Sequence, residues 1–111
     1  MTTKKTPEKI LNGIDEQLRN YELVLIINPE IVDEALNNTI DTVSQFIINK
    51  GGVVSSVEQW GKRRLAYPIR HFTEGNYVLA QFALKPEISK EVEARLRISE
   101  DILRHLLVGI E

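Results

Sequence analysis

The feature that most restricts the fold is a change of apolar period after the first strand-like run. Residues 21–27 are mostly aliphatic or β-branched, which is typical of a strand in the middle of a covered sheet. From Glu30 the apolar residues recur every three or four positions, at Val32, Leu36, Ile40, Val43 and Ile47. This spacing predicts one apolar stripe of a helix. A strand followed directly by an amphipathic helix favours folds in which helices cover a sheet.

A predicted hairpin follows the helix. Gly51 and Gly52 come directly after the apolar stripe, and we expect them to supply the positive φ angles that end the helix. An extended pattern resumes over residues 53–58 and runs into a basic segment, which we define as residues 60–71. Pro68 cannot donate a ladder hydrogen bond, so the strand ends there or lies at an edge. Residues 73–76 read as a turn before an alternating strand over residues 77–84, which places the basic segment at or near the hairpin loop.

The rest of the chain completes a known arrangement. Pro86 opens a second helix, in which Ile88, Val92 and Leu96 repeat every four residues. Residues 99–101 break it, and residues 102–110 form a last apolar strand. The order β-α-β-β-α-β predicts an α+β, ferredoxin-like split βαβ sandwich, with a four-stranded antiparallel sheet and both helices on one face.

The second face of this sheet is left without a helix. Its apolar candidates are Leu23, Leu25, Tyr77 and Leu79, or the residues that alternate with them. An exposed apolar sheet face normally marks an interaction surface. We therefore expect a protein partner as well as a nucleic-acid partner.

Length and composition limit the classes of function. At 111 residues the chain forms one domain, and we assign residues 1–19 to a flexible leader and residues 20–111 to the single domain. There is no cysteine, which excludes disulfides, thiolate metal sites and a catalytic cysteine. The apolar runs are far shorter than the ~20 residues that cross a bilayer, and the leader resembles neither a secretory signal nor a transit peptide.

The residues that commonly perform catalysis are not grouped. His71 and His105 are the only histidines, and neither has a nearby acid or cysteine that would suggest a metal site. The carboxylate pairs are adjacent in sequence at predicted turns and helix starts, where they favour the helix dipole or hydration. The sequence therefore predicts no catalytic residue, no metal and no cofactor.

The basic segment is the strongest indication of a ligand. It carries four Lys or Arg and no acid, whereas the whole chain has a net charge of −2. Lys62, Arg63, Arg64 and Arg70 are suited to binding phosphates, and Trp60 and Tyr67 to stacking on bases. The alternatives are a charged edge strand that only faces solvent, and aromatic side chains that only pack.

Several short motifs carry a resemblance to a known family. They are Tyr21-Glu22, Asn28-Pro29, the block Gly-Lys-Arg-Arg-Leu-Ala-Tyr-Pro-Ile over residues 61–69, Glu74-Gly75-Asn76-Tyr77 and Leu96-Arg97-Ile98. In this order and spacing, over about residues 19–108, the chain resembles the bacterial-type ribosomal protein S-six family, the sixth protein of the small ribosomal subunit. The nine-residue block is the most specific of these signals.

The resemblance implies a structural protein without catalysis. It implies binding to the central domain of small-subunit rRNA, as a heterodimer with the eighteenth small-subunit ribosomal protein, and a role in subunit assembly and translation. The location would be the ribosome of a bacterial cytoplasm or a chloroplast stroma.

The resemblance also implies candidate RNA-binding residues. Lys62, Arg63, Arg64 and Tyr67 match the signature block, and Arg19 matches a basic position at the start of the first strand. Arg70 is added because it neighbours the block in sequence.

Two alternatives from other classes share the predicted fold. One is a regulatory module that forms a homodimer through its open sheet face and binds a metabolite. The other is an acylphosphatase-type hydrolase, which needs an arginine-bearing, glycine-rich loop after the first strand. This chain has Asn28, Pro29 and Glu30 there, which places an acid where the anion would bind.

Overall fold

The computed structural model describes residues 18–110 and consists of one antiparallel sheet with two helices. The elements in chain order are β1 (Arg19–Ile27), α1 (Asp33–Asn49), β2 (Val53–Ile69), β3 (Phe72–Leu84), α2 (Pro86–Ile98) and β4 (Ile102–Ile110). The strand order is β2-β3-β1-β4, and each neighbouring pair is antiparallel. The predicted ferredoxin-like arrangement is confirmed. Residues 1–17 of the predicted leader lie outside the described residues, and its last residue, Arg19, is the first of β1.

The core lies between the helices and one face of the sheet. Alternate residues of β3 are buried, and α1 and α2 contribute the predicted stripes, with Ile40, Ile47, Val92 and Leu96 buried. Val32 was wrongly predicted for the stripe, since it precedes α1 and is exposed.

Leu23 and Leu25 of β1 are 0% and 1% exposed and belong to this core. On β1 the open face carries the residues that alternate with them, which was the second possibility in the prediction. On β3 the residues named first, Tyr77 and Leu79, do lie on the open face.

The open face of the sheet is defined by the register of its strands. Val24 pairs with Leu79 of β3 and with Leu106 of β4, and directly paired residues share a face. The central apolar residues of this face are half-buried, but Leu106 and Val108 on the edge strand β4 are 59% and 45% exposed. The predicted apolar open face is therefore present, with its most exposed part on β4.

The β2–β3 hairpin is longer than the rest of the sheet. β2 has 17 residues and β3 has 13, whereas β1 has 9. The pairing of β1 with β3 stops at Ile27 and Asn76, so the hairpin continues beyond the end of β1. We call residues 60–75 the distal hairpin. The radius of gyration of 14.8 Å exceeds the about 12–13 Å of a compact domain of this size, as a projecting hairpin requires.

The predicted turn at residues 73–76 was wrong. The turn is made by Arg70 and His71, whose φ angles are +49° and +62°, the conformation of a two-residue hairpin turn. Gly75 lies inside β3, where a Cβ atom would collide with the side chain of Ile26. Asn76 is buried and donates from Nδ2 to the carbonyl oxygens of Asn28 and Ile31. Gly75 is therefore needed for close packing against Ile26, and Asn76 supports the loop after β1. Neither residue forms the turn.

The glycines after α1 have different roles. Gly51 has a φ angle of +91° and ends the helix as predicted. At Gly52 a Cβ atom would lie 2.6 Å from Cγ2 of Ile47 and 3.0 Å from the carbonyl oxygen of Ala83. Gly52 is therefore needed for close packing of the helix end on β3, and not for a positive φ angle.

Candidate nucleic-acid interface

The basic segment begins at a bulge in the edge strand β2. Between Gln59 and Gly61 the register with β3 shifts by one residue, so Trp60 is the additional residue. Gly61 has a φ angle of +87°, which a residue with a side chain rarely adopts. Pro68 also lies on this edge strand, as its missing donor predicted.

The alternation of side chains along β2 places the three adjacent cations on both faces of the hairpin. Lys62 pairs with Asn76, Arg63 with Gly75 and Arg64 with Glu74. The Asn76 side chain lies on the helix-covered face, where it reaches Ile31. Lys62 and Arg64 therefore lie on that side of the hairpin, and Arg63 lies on the open side. Nucleic acid that contacts all three cations has to follow the edge of β2 and not one flat face.

Trp60 and Arg63 form a contact on the open side. The Arg63 guanidinium carbon lies 5.4 Å from the centre of the Trp60 ring, within cation–π range. Trp60 Nε1 donates to Glu58 Oε1 at 3.0 Å. Trp60 is 42% exposed, so it packs against the basic segment itself and not in the core.

Lys62 and Arg64 have no protein partner among residues 18–110. Both are exposed, and neither makes a hydrogen bond or an ion pair within that part of the chain. Glu74 is opposite Arg64 across the hairpin, yet the two do not form an ion pair. Both cations are thus available to an external anion.

The tip of the distal hairpin makes hydrogen bonds to β4 and to the loop before β4, at the edge of the sheet opposite β2. Residues 65–68 bulge out opposite Thr73, with Leu65 buried and Tyr67 57% exposed. The Tyr67 hydroxyl accepts a hydrogen bond from Arg104 Nη1 of β4 at 2.6 Å. Arg70 Nη1 donates to the carbonyl oxygen of Glu100 at 3.3 Å. These contacts fix the position of the tip and leave the Tyr67 ring accessible.

Sequence reasoning missed Arg104. The available signal was a single cation at position 104 within an otherwise apolar strand start. The contact of Arg104 with the hairpin could not be predicted from this signal, because it depends on the strand order. That order places β4 beside β1 and pairs Arg104 with Ile26 on the open face.

The structure does not bring Arg19 together with the other predicted residues. Arg19 pairs with Leu84, whereas the hairpin lies beyond the other end of β1, at Ile27. Eight residues of extended strand separate these ends by about 26 Å. Lys62, Arg63, Arg64, Tyr67 and Arg70 lie together in the distal hairpin, and Arg19 lies apart.

Within residues 18–110 no group of three or more His, Cys, Asp or Glu side chains is placed to hold a metal ion. No described helix is long and apolar enough to span a membrane.

Comparisons with known proteins agree on one family. The family model described as "Ribosomal protein S6" matches residues 20–109. The "Small ribosomal subunit protein bS6" of Moorella thermoacetica is 42% identical over 94 residues, covering 85% of this chain and 96% of the relative. The protein of the same description from Clostridium novyi is 40% identical over 94 residues, covering 85% and 99%.

A solved structure gives the same result. The crystal structure of "30S ribosomal protein S6" from Thermotoga maritima matches with a TM-score of 0.79 and 30% identity, covering 84% of this chain and 88% of that chain. The resemblance stated from the sequence motifs is confirmed. Because the family is structural, the matches also confirm that the chain is not an enzyme and exclude the hydrolase alternative. The chain belongs to the ribosomal protein S6 family, whose members are structural constituents of the small ribosomal subunit.

Proposed function

We propose that the chain binds the central domain of small-subunit rRNA together with the eighteenth small-subunit ribosomal protein, and that it acts in subunit assembly and translation. The observation that carries the proposal is the group of exposed cations on the distal hairpin. Lys62, Arg63 and Arg64 project from the edge strand without an acidic partner among the described residues. The host ribosome is bacterial or that of a chloroplast.

The cations act mainly on RNA phosphates. Each phosphate neutralised by a Lys or Arg releases counterions, which makes the affinity depend on salt. Lys62 and Arg64 on one side of the edge, and Arg63 on the other, fit backbone contacts that position the RNA. Arg70 uses one nitrogen for Glu100 and keeps other donors for phosphate. Arg19 contributes at a separate point, at the start of β1.

The aromatic residues of the segment support the same RNA interaction in two ways. Tyr67 is 57% exposed and its hydroxyl is held by Arg104, which fixes the ring before binding. A fixed, exposed ring is suited to stacking on an unpaired base. Trp60 orients Arg63 through the cation–π contact.

A protein partner is needed for tight binding. With a net charge of −2 the chain as a whole does not attract RNA, so a basic partner would supply the missing positive field. The open face offers exposed apolar side chains for such a partner, most clearly Leu106 and Val108 of β4.

The test is a binding titration with a central-domain rRNA fragment, with and without the eighteenth small-subunit protein, at several salt concentrations. We expect tight, salt-sensitive binding only when the partner is present. An absence of binding in both cases would overturn the proposed rRNA site and the proposed partner.

A further inference from the structure

A surface cavity lies where the tip of the distal hairpin meets the end of α2 and the start of β4. Its volume is about 230 Å³. Arg70 of the turn, Arg97 of α2 and Arg104 of β4 line it together, and we call these three residues the arginine pocket. Buried apolar side chains, among them Leu96 and Ile102, form its floor.

Each arginine of the pocket is oriented but not saturated. Arg104 donates one hydrogen bond to Tyr67, and Arg70 donates one to the carbonyl oxygen of Glu100. Arg97 Nη2 lies 3.7 Å from Oε1 of Glu93. A guanidinium has five N–H donors, so each arginine retains donors that can face the cavity.

The charge of the pocket is predominantly positive. Three arginines and no Asp or Glu are among the described residues that line the cavity. Glu93 forms an ion pair with one of these arginines, Arg97. Glu100 offers its carbonyl oxygen to Arg70, and the neighbouring Asp101 lines a different groove, between α1 and α2. An anion in the cavity would therefore meet more cationic donors than acids.

We propose that the arginine pocket binds a backbone phosphate of the rRNA. This inference rests on the proposed function and adds Arg97 and Arg104 to the RNA-binding residues. Planar guanidinium forks match the geometry of phosphate oxygens, and a floor of buried apolar groups strengthens the attraction by lowering the local dielectric.

The size and position of the cavity specify the ligand further. Its volume is below the ~300–1,000 Å³ of sites that enclose a small molecule, so it suits a single charged group. It also adjoins Tyr67 through Arg104, so an RNA strand that contacts the basic segment can continue into the pocket.

The test compares matched single substitutions of α2 in the complete complex with the eighteenth protein and the rRNA fragment. Arg97→Gln removes a pocket cation, and Arg95→Gln removes a cation from the same last helical turn that faces the groove between the helices instead. We expect Arg97→Gln to weaken binding about tenfold and to reduce the salt slope by about 1, with no change for Arg95→Gln. Arg97→Lys should keep the slope because it keeps the charge.

Arg104 needs a second control because it also holds Tyr67. Arg104→Gln should reduce both affinity and salt slope, whereas Tyr67→Phe removes the same hydrogen bond and leaves the slope unchanged. If the wild-type complex binds the fragment, and Arg97→Gln and Arg104→Gln bind it as tightly as Arg95→Gln, the pocket proposal is overturned and the proposed function stands. Failure of the wild-type complex to bind the fragment would overturn both.

Discussion

The cations of the distal hairpin differ in their partners from the cation at the end of α1 in the helix layer. There Lys50 lies 2.9 Å from Glu91 of α2. In the hairpin Lys62 and Arg64 have no acidic partner within residues 18–110. The net charge of −2 hides this difference. Where the acids are placed, and not how many cations exist, determines which surface attracts a polyanion.

The strongest test of this comparison removes charge from each region in turn. Replacing Arg63 and Arg64 together by Ala should weaken rRNA binding about 100-fold, because each loses a charge-assisted contact. The salt slope should fall by about 2. The matched control replaces Lys90 and Arg95 of α2, and we expect no change in affinity. Equal losses in the two double variants, measured by filter binding, would contradict the comparison.

A second test addresses the protein partner. Leu106→Asp places a charge on the exposed apolar part of the open face, and we expect it to weaken the heterodimer by about tenfold or more. Ile98→Asp is the control, since Ile98 is 73% exposed on α2. Calorimetric titration with the eighteenth protein measures the effect, and similar affinities for both variants would remove the open face from the interface.

A smaller effect is expected from the acid that faces the hairpin cations. Glu74 is opposite Arg64, and its carboxylate reduces the local positive potential. Glu74→Gln should increase rRNA affinity about threefold at low salt, and the gain should shrink as salt rises. A loss of affinity would show that Glu74 has another role, such as holding Arg64 in place.

The smallest effect is expected from unpairing a cation of the helix layer. Glu91→Gln leaves Lys50 without its ion pair, which should lower the free energy of unfolding by no more than about 0.5 kcal/mol. The affinity for the rRNA fragment should stay the same, since Lys50 lies at the opposite end of the sheet from the hairpin tip. An increase in affinity would show that any unpaired cation suffices.

Local patterns predicted the elements of the fold well. The stripe of α1 and the alternation of β3 depend on residues within one element, and these residues pack in or against the core as expected. The exception is Val32, which precedes α1 as its N-cap residue and is 46% exposed. The face of β1 could not be assigned in the same way, because the strand is apolar on both sides. Its pairing with β3 places Leu23 in the core beside Ala80, and this pairing is not encoded in β1 alone.

The residues of the candidate site were likewise predicted where they are neighbours in sequence, and missed where only the fold brings them together. The run of Lys62, Arg63 and Arg64 is continuous in sequence, and the structure places the three residues side by side on β2. Arg97 and Arg104 come from elements that meet Arg70 only in the folded protein. The turn was misplaced because Arg70 and His71 adopt positive φ angles without the Asn or Gly that normally marks them.

The irregular edge of β2 has a consequence for the chain before it meets RNA. An exposed edge strand presents unpaired backbone groups to which another chain can add a strand. Three features of β2 interrupt that template: the bulge at Trp60, the larger bulge over residues 65–68, and Pro68. The neighbouring cations also repel a second copy of the same edge. The features that serve RNA binding would thus also keep newly made copies of the protein from associating edge to edge while they await assembly.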